Sequence, residues 1–363
     1  MSSSHEKHND FNAMAWTKPE YPHHQVDNAG DILIAPDSPD FSLDEAQKFE
    51  RALTIINNWR SSHGCPLQSI KMTLLGRAKK IDIQSLIAQR IKRIRAISVK
   101  LRRNPKMKLS KMHDIGGCRA VTRTVTQVEA LVKNYERATA KNKLRGGEFV
   151  KKYDYIQNPK PDGYRGVHLV YKYRSESKAL AEFNGLRIEI QIRSRLQHYW
   201  ATAVETVDAF TGQALKSNFG EDSWKSFFSL VASAVARFEK RPIVPGTPSD
   251  PEELKRQLKL HSEQIDLLEG LRTATGEIEK KAGHFFILVL NSKERKFSTL
   301  RFQQNQLNEA QNQYLELEKT NKDKPEVQTV LVSVDSVEHL RKAYPNYFLD
   351  INEFVNVLKK ILA

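Results

Sequence analysis

The chain has 363 residues, of which 39% are hydrophobic and 28% charged, and this composition is typical of a globular protein with a polar surface. Two cysteines, Cys65 and Cys118, are too few for a disulfide framework, and no apolar run reaches the roughly 18 residues of a membrane span. The N-terminus lacks the pattern of a secretory signal, so we expect a cytoplasmic protein. The formal net charge of +15 favours polyanionic partners such as nucleotides or RNA.

Hydrophobic periodicity and chain breakers predict a mixed α/β region over the first two thirds of the chain. Residues 1–41 are polar and interrupted by prolines, which favours a loose arm. Helices are predicted over residues 42–60, 67–80, 94–103, 126–138, 195–208 and 222–240. Strands are predicted over residues 85–93, 117–125, 149–155, 167–173 and 186–192. This order predicts a mixed five-stranded sheet flanked by helices.

A proline-rich segment divides the chain. Residues 241–251 contain four prolines and predict a linker. Beyond it, the patterns predict a long helix over 252–281, strands over 284–290, 296–302 and 327–334, a helix ending near residue 319, and two short helices. We therefore expect a first domain over residues 1–240, a linker over 241–251 and a smaller α/β domain over 252–363.

Two clusters of basic residues stand beside motifs that could bind a nucleotide. Nine lysines or arginines and no acidic residue occur from Arg90 to Lys108, and six against two acidic residues occur from Lys141 to Lys160. Such a run is often only a solvated face. However, a guanidinium can stack on a base and fork to phosphate, while a lysine offers a compact charge. In the first run, Arg90 and Lys92 share one face of a predicted strand, and Lys100 follows on a helix.

Carboxylates and aromatic rings form the other candidate groups. Asp114 precedes two glycines on a predicted strand, where it could cap a turn or hold Mg²⁺ together with phosphate oxygens. The segment from Tyr153 to Leu169 alternates aromatic residues, glycines and cations, which favours either a hairpin loop or a stacking platform for a base. In the strand that follows, Glu189 shares a face with Gln191 and Arg193, and it could bind the metal or accept a proton.

Together, the four segments resemble the synthetase domain of the RelA/SpoT family. The resemblance rests on RIK from Arg90, DIGGCR from Asp114, DYIQNPKPDGYRGVH from Asp154 and EIQIR from Glu189, and it covers about residues 85–207. It implies a nucleotidyltransferase-like α/β fold. It also implies a reaction in which ATP donates its β,γ-pyrophosphate to the 3′-hydroxyl of a guanine nucleotide or similar acceptor, leaving AMP. Mg²⁺ is the implied metal cofactor.

The resemblance implies a role for each motif residue. Two arginines would enclose the adenine and two lysines would hold the ATP phosphates. These ATP-binding residues are Arg90, Arg119, Lys92 and Lys100. The implied metal ligands and catalytic residues are Asp114 and Glu189, with Glu189 as the base. The implied acceptor-binding residues are Tyr155, Lys160, Tyr164, His168, Gln191 and Arg193, with Tyr164 stacked on the base. Ala96 stands where family members commonly have a serine that contacts phosphate.

The acceptor has two alternatives. GDP or GTP would give the alarmones ppGpp or pppGpp. The chain also resembles small synthetase-like toxins, some of which pyrophosphorylate the 3′-terminal adenosine of tRNA and stop translation. A tRNA acceptor needs an extended basic surface. The candidate RNA-binding residues are Lys141, Lys143, Arg145, Lys151 and Lys152. A catalytically inactive RNA-binding module is an alternative from another class, and the presence of both Asp114 and Glu189 argues against it.

The last third of the chain resembles the antitoxin-like domain of the fused toxin–antitoxin CapRel proteins, through a Y-x-x-Y motif at Tyr344 and Tyr347. In that family the domain is a degenerate zinc finger, consistent with the absence of cysteine after Cys118. The resemblance implies that this domain blocks the ATP site, as part of anti-phage defence, until a phage capsid or other phage protein binds. Alternatively, both tyrosines are local packing. The expected partners exclude membranes and DNA.

Overall fold

The computed structural model describes residues 16–35, 43–140, 146–214, 221–270, 284–321, 324, 326–334, 337–348 and 350–363. The helices are α1 (His23–Ile34), α2 (Leu43–Ser62), α3 (Gly64–Ile81), α4 (Ile94–Arg103), α5 (Val125–Ala140), α6 (Arg195–Ala214), α7 (Glu221–Phe238), α8 (Pro251–Lys259), α9 (Ser262–Gly270), α10 (Leu307–Thr320), α11 (Val337–Ala343) and α12 (Asn352–Leu362). The strands are β1 (Leu86–Ile91), β2 (Gly116–Thr122), β3 (Gly147–Asp154), β4 (Val167–Tyr173), β5 (Arg187–Ser194), β6 (Phe285–Asn291), β7 (Lys296–Phe302) and β8 (Val327–Val334).

One sheet runs through the described part of the chain. Its eight strands follow the order β3-β4-β5-β2-β1-β8-β6-β7, with β2 and β5 parallel and the other neighbouring pairs antiparallel. The prediction of a mixed sheet flanked by helices is confirmed, but the prediction of five strands is wrong. The count differs because β8 pairs with β1 and brings β6 and β7 into the same sheet. Residue alternation identifies a strand but not the partner that it meets.

The division into domains stays a prediction, because this sheet joins strands from both predicted units. The segment predicted as a linker packs against the first unit. Arg241 donates two hydrogen bonds of 2.7 Å to Glu129, and Val244 is fully buried. The Pro242 carbonyl accepts a hydrogen bond of 2.7 Å from Arg165. Residues 241–251 are thus anchored at their first positions.

The two faces of the sheet differ in chemistry because side chains alternate along each strand. Helices α3 and α5 cover one face, and its buried residues come from alternate positions of four strands. These include Ile87, Ile91, Cys118, Ala120, Val167, Leu169, Ile188, Ile190 and Ile192. The opposite face carries the polar residues of the same strands. The alternation that builds the core therefore also gathers the candidate site residues on one side.

Two helix predictions are wrong. The loose arm predicted over residues 1–41 contains α1, whose Val26, Ala29 and Leu33 are buried. The long helix predicted over residues 252–281 is broken at Leu260 and His261 into α8 and α9, and residues 271–283 lie outside the described part. Among the described residues, none of the helices combines the length and the apolar character that crossing a bilayer requires.

Candidate active site

The polar face of the sheet gathers candidate residues from four neighbouring strands. Arg90 lies on β1, Arg119 on β2, His168 on β4 and Glu189 on β5. In the parallel pair, Gly117 of β2 is the partner of Glu189. This register brings the segment just before β2, which carries Asp114, to the side of Glu189. Residues that are far apart along the chain therefore meet at the centre of the sheet.

Asp114 lies between two ammonium groups. Lys92 Nζ is 2.9 Å from one carboxylate oxygen of Asp114, and Lys100 Nζ is 2.8 Å from the other. Burial alone would raise the pKa of Asp114, but the two lysines lower it to about 2, so the carboxylate is ionised at neutral pH. Two cations and one anion are thus concentrated in a small volume, as a phosphate-binding site requires.

Glu189 is at one end of a chain of hydrogen bonds. His168 Nδ1 donates to one of its oxygens at 2.9 Å, and Gln191 Nε2 donates to the other at 2.8 Å. Tyr164 Oη lies 2.5 Å from His168 Nε2 and accepts a hydrogen bond of 2.7 Å from Arg193. Burial would raise the pKa of Glu189, but His168, through its hydrogen bond and charge, and the hydrogen bond from Gln191 together outweigh burial, and the pKa is lowered. An ionised, oriented carboxylate is suited to accept a proton.

A group of half-buried rings adjoins this chain. The ring of Tyr155 is nearly perpendicular to those of Tyr164 and His168, with centroids 5.7 Å and 5.3 Å away. Lys160 Nζ lies 4.3 Å from the centroid of the Tyr155 ring and 5.3 Å from that of Tyr164. Rings with a lysine over them can hold a base by stacking and a phosphate by charge.

Two arginines and a glutamate form a charge cluster beside β1 and β2, in which Arg119 is buried and Arg90 and Glu205 are half-buried. Burial would lower the pKa of Arg90, but Glu205 of α6 and the other groups around the guanidinium together outweigh burial, and the pKa is raised. In turn, burial would raise the pKa of Glu205, but Arg90, Arg119 and Arg193 lower it. Burial, together with the charge of Arg193, lowers the pKa of Arg119 to about 10. The Arg119 Nε atom is buried and has no hydrogen-bond partner among the described residues.

The sequence analysis assigns no role to Glu205, although this residue belongs to the charge cluster. The available signal is helical spacing, because His198, Thr202 and Glu205 follow at i, i+4 and i+7 in α6. His198 and Thr202 are buried, so these three polar residues mark one face of the helix. Burial and the charge of Arg119 lower the pKa of His198 to about 3, which keeps the imidazole neutral.

Two tyrosines of the C-terminal part, Tyr344 and Tyr347, lie beside the arginines of this cluster. Tyr344 is buried, and its hydroxyl donates to the Gln89 carbonyl of β1 at 2.8 Å. Tyr347, also buried, and Tyr344 are close enough to Arg90 to influence its pKa. Residues of α11 and the turn after it therefore occupy the same face of the sheet as the predicted adenine-binding residues.

A second attachment joins the C-terminal part of the chain to the donor residues. Arg60, only 1% exposed, donates to Glu318 of α10 at 2.7 Å and to Tyr314 at 3.0 Å. The same guanidinium donates to the Lys92 carbonyl at 2.9 Å. The other oxygen of Glu318 accepts from the amide of Ile94, at the start of α4, at 3.3 Å. No sequence pattern predicts this ion pair, because 258 residues separate its two members.

A groove of about 2150 Å³ opens between α2, α4 and α10. Lys92 and Lys100 line it together with Arg95 and Arg102, so its α4 wall is strongly basic. The groove offers a phosphate-bearing ligand a path to the two lysines, although Arg90 and Arg119 do not line it. A ligand in this groove can therefore reach the two lysines, but the groove does not lead it along the two arginines.

The carboxylate pair fits one type of magnesium site. No group of three or more acidic, histidine or cysteine side chains suited to a metal occurs among the described residues. Mg²⁺ commonly takes one or two carboxylates and fills its other positions with water and phosphate oxygens. The charge of Asp114 partly opposes the lowering of the Glu189 pKa, so the two carboxylates are close enough to interact. This donor set suits a metal that also binds a phosphate ligand.

The lysines predicted to contact RNA do not share one surface. Lys151 and Lys152 are both exposed on the edge strand β3. Lys151 Nζ lies 4.9 Å from the centroid of the Tyr153 ring, whereas Lys152 forms an ion pair of 2.8 Å with Glu136 of α5 on the opposite face. The remaining candidates, Lys141, Lys143 and Arg145, lie outside the described residues.

Interacting carboxylates, a cluster of cations and base-stacking rings on one sheet face are typical of enzymes that act on phosphate-bearing nucleotides. Comparison with known proteins is more specific. Residues 89–208, about one third of the chain, match the model of the region found in RelA / SpoT proteins. The RelA/SpoT synthetase region expected from the motifs is thus identified in this chain, while the finer resemblance to CapRel proteins stays a prediction.

One curated relative and several solved structures are similar to this chain. GTP pyrophosphokinase YwaC of Bacillus subtilis (strain 168) is 33% identical over 94 residues, which are 25% of this chain and only 40% of YwaC. Small alarmone synthetase 1 from Bacillus subtilis, bound to its product pppGpp, is 22% identical with a TM-score of 0.41, over 53% of this chain and 94% of that chain. A GTP pyrophosphokinase family protein from Streptococcus pneumoniae is 22% identical with a TM-score of 0.38, over 48% and 84%.

Proposed function

We propose that this chain is an ATP-dependent pyrophosphotransferase of the RelA/SpoT type. The observation that carries the proposal is the meeting of two interacting carboxylates, Asp114 and Glu189, between a cation cluster and an aromatic pocket. Both carboxylates fall within the matched region, residues 89–208. The presence of both Asp114 and Glu189 argues against an inactive RNA-binding module, which needs cations and aromatic rings but no pair of carboxylates.

The donor residues act by position and charge in this proposal. Arg90 and Arg119 hold the adenine, and Lys92 and Lys100 exchange the Asp114 carboxylate for ATP phosphates. Phosphoryl transfer needs positioning and charge neutralisation more than covalent chemistry, and these cations supply both. Mg²⁺ held by Asp114 and Glu189 would add charge neutralisation on the transferred group.

The reaction is a displacement at the β-phosphorus of ATP. The 3′-hydroxyl oxygen of the acceptor bonds to this phosphorus, and the bond from it to the oxygen bridging to the α-phosphorus breaks. AMP leaves with that oxygen, and Glu189 takes the hydroxyl proton as general base. The hydrogen bonds from His168 and Gln191 hold the Glu189 carboxylate in place, and Tyr164 and Arg193 hold His168 in turn.

The acceptor that we propose is the 3′-terminal adenosine of tRNA, whose modification would inhibit translation. Lys151 and the rings of Tyr153 and Tyr155 support this choice, since they extend the acceptor pocket toward the edge strand. We leave out Lys152, which is bound to Glu136 on the other face. The second candidate is GDP or GTP, favoured by the similarity to a protein named as a GTP pyrophosphokinase.

We also propose that the C-terminal part of the chain inhibits the donor half and that a phage capsid or other phage protein releases it. Tyr344 and Tyr347 lie beside Arg90, where the adenine would stack. An aromatic ring can stack on a guanidinium, so these tyrosines can take the place of the adenine base. The ion pair between Arg60 and Glu318 adds a second point of attachment.

A labelled transfer assay tests these proposals. Purified protein receives ATP labelled at the γ-phosphate, with either tRNA or GDP, and with or without candidate phage proteins. We expect label in tRNA only when an activating protein is present. Label confined to a guanine nucleotide would reject the tRNA proposal. Label in no acceptor, with both the wild type and a folded Tyr344→Ala variant, would reject the enzymatic proposal.

A further inference from the structure

Lys151 and Tyr153 on the edge strand β3 and Tyr155, just after the end of this strand, form a row of three side chains. In the register of β3 and β4, Lys151 is the partner of Val170 and Tyr153 is the partner of His168. Partners in a ladder point to the same face, so Lys151 and Tyr153 lie on the His168 side of the sheet. The rings of Tyr153 and Tyr155 are stacked, with centroids 5.9 Å apart and planes at 12°. An aromatic row therefore leads outward from the acceptor pocket.

The row ends in an exposed cation. Lys151 Nζ lies 4.9 Å from the centroid of the Tyr153 ring, and Lys160 Nζ lies 4.3 Å from that of Tyr155. Each ring thus has a lysine over it. Stacked rings with interleaved lysines are the arrangement by which proteins bind single-stranded nucleic acid, because rings stack on bases and lysines contact the phosphates between them.

We propose that Tyr153 and Lys151 form a second subsite, which binds the nucleotide preceding the 3′-terminal one in a single-stranded RNA end. This inference rests on the proposed transfer to an RNA acceptor. The terminal base occupies the pocket of Tyr164 and Tyr155, the next base stacks at Tyr153, and Lys151 contacts the phosphate on its far side. A free mononucleotide ends within the first pocket and does not reach the second subsite.

The position of the row explains why an RNA end fits it. Strand β3 forms one edge of the sheet, so the row continues to the protein surface. Tyr153 is half-buried and Lys151 is exposed, which leaves both able to bind a ligand. Two residues of a strand span about 6.6 Å, so Tyr153 lies about this far beyond Tyr155, toward the outer end of the row. The paired bases of a duplex would be unavailable for this stacking.

Equilibrium binding tests the subsite without requiring an open donor half. The probe is a fluorescent four-nucleotide RNA that ends in CCA with a free 3′-hydroxyl, and the readout is anisotropy with the full-length protein. We expect Tyr153→Ala to weaken RNA binding about 5- to 150-fold, the range for the loss of one stacked base. The Tyr153→Phe variant keeps the ring and should bind as the wild type does. AMP and GDP should bind both variants equally, which shows that the first pocket is intact.

The two exposed lysines of β3 provide a matched pair. Lys151→Ala should weaken RNA binding and reduce the slope of log affinity against log salt by about 0.7, the value for one phosphate contact of a single strand. Lys152→Ala, on the opposite face, should leave both unchanged. Equal effects of the two substitutions would show general charge attraction and overturn the subsite.

Failure of this inference can be distinguished from failure of the proposed reaction. Wild-type protein that does not bind the RNA, or a Tyr153→Ala variant that binds it as tightly as wild type, overturns the subsite even if pyrophosphate transfer to a guanine nucleotide is found. Conversely, the expected binding pattern without any transfer supports the subsite and contradicts the reaction.

Discussion

The donor and acceptor halves of the proposed active site differ in what lies over them. Arg90 and Arg119, on β1 and β2, lie beneath Tyr344, which donates to the backbone of β1. The acceptor rings belong to the loop before β4 and to the edge strand β3. Three strands separate β4 from β8, the strand through which the C-terminal part enters the sheet. The C-terminal tyrosines therefore lie over the donor half of the site and away from the acceptor half.

If the C-terminal part inhibits the enzyme as proposed, this difference makes donor binding, and not acceptor binding, the controlled step. Strand β8 pairs with β1 and not with β3, so α11 after it reaches the adenine side of the sheet. In this proposal, the protein binds its acceptor before activation and binds ATP after the donor half is released. A ligand that binds better to the released state would shift the balance by its difference in affinity for the two states. Each prediction below separates the two halves in a different way.

The largest effect is expected where the two halves meet. Glu189→Gln keeps the side-chain shape but cannot take the hydroxyl proton, so transfer by the activated protein should fall about 100- to 10,000-fold. RNA binding should change little. Rates from labelled ATP measure the loss, with Glu176→Gln, at an exposed position, as the matched control. Unchanged transfer by a folded Glu189→Gln variant would remove the catalytic assignment.

The ion pair between Arg60 and Glu318 should have the next largest effect, on stability. Glu318→Ala leaves the buried Arg60 guanidinium without its carboxylate, which costs about 3–5 kcal/mol for an uncompensated buried charge. Glu316→Ala, at an exposed position of the same helix, should stay within about 0.5 kcal/mol of wild type. Denaturant unfolding measures both. Equal stability of the two variants would mean that α10 is not attached through this pair.

Tyr344→Ala tests the covering of the donor half directly. Loss of the ring should favour the released state and lower the Kd for ATP about 10- to 100-fold, while the Kd for RNA stays constant. Tyr344→Phe removes only the hydrogen bond to the Gln89 carbonyl and should have an effect of about fivefold, the value of one hydrogen bond. Calorimetric titration gives both constants. A shift in RNA affinity as large as that for ATP would erase the distinction between the halves.

The sequence predicts the parts of this site that depend on local alternation. Strands β4, β7 and β8 and helix α4 begin and end where the apolar patterns predict. The shared face of Glu189, Gln191 and Arg193 is confirmed by the hydrogen bonds that join them. Period-two alternation determines these features without knowledge of the rest of the chain.

Other features depend on contacts between distant segments. The pairing of β8 with β1, the ion pair of Arg60 with Glu318 and the charge cluster around Glu205 join segments that carry no matching signal. The sequence pattern does not indicate helix α1, because its few buried apolar residues lie among polar ones. Tertiary packing supplies most of the stability of such a helix, so its own sequence is a weak guide.

The smallest effect is expected in acid, from the histidine that contacts the C-terminal part beside the donor half. His198 Nε2 donates to the Lys342 carbonyl at 3.0 Å, and burial with the nearby charge of Arg119 lowers its pKa to about 3. Below its unfolded pKa of about 6.5, the unfolded chain binds a proton that the folded protein excludes, so stability falls with falling pH. This histidine should therefore contribute a loss of about 2 kcal/mol in the free energy of unfolding between pH 7.5 and pH 5.

His198→Gln keeps an amide donor near the position of Nε2 and removes the titrating group. Its stability should therefore depend less on pH than that of the wild type, by about 2 kcal/mol over this interval. His63, whose pKa burial lowers to about 4, acts in the same direction and remains in both proteins, so it cancels in the comparison. His24→Gln, at an exposed position, should leave the pH dependence unchanged. If His198→Gln behaved like His24→Gln, protons would reach His198 in the folded state, and α11 would be loosely packed over the donor half.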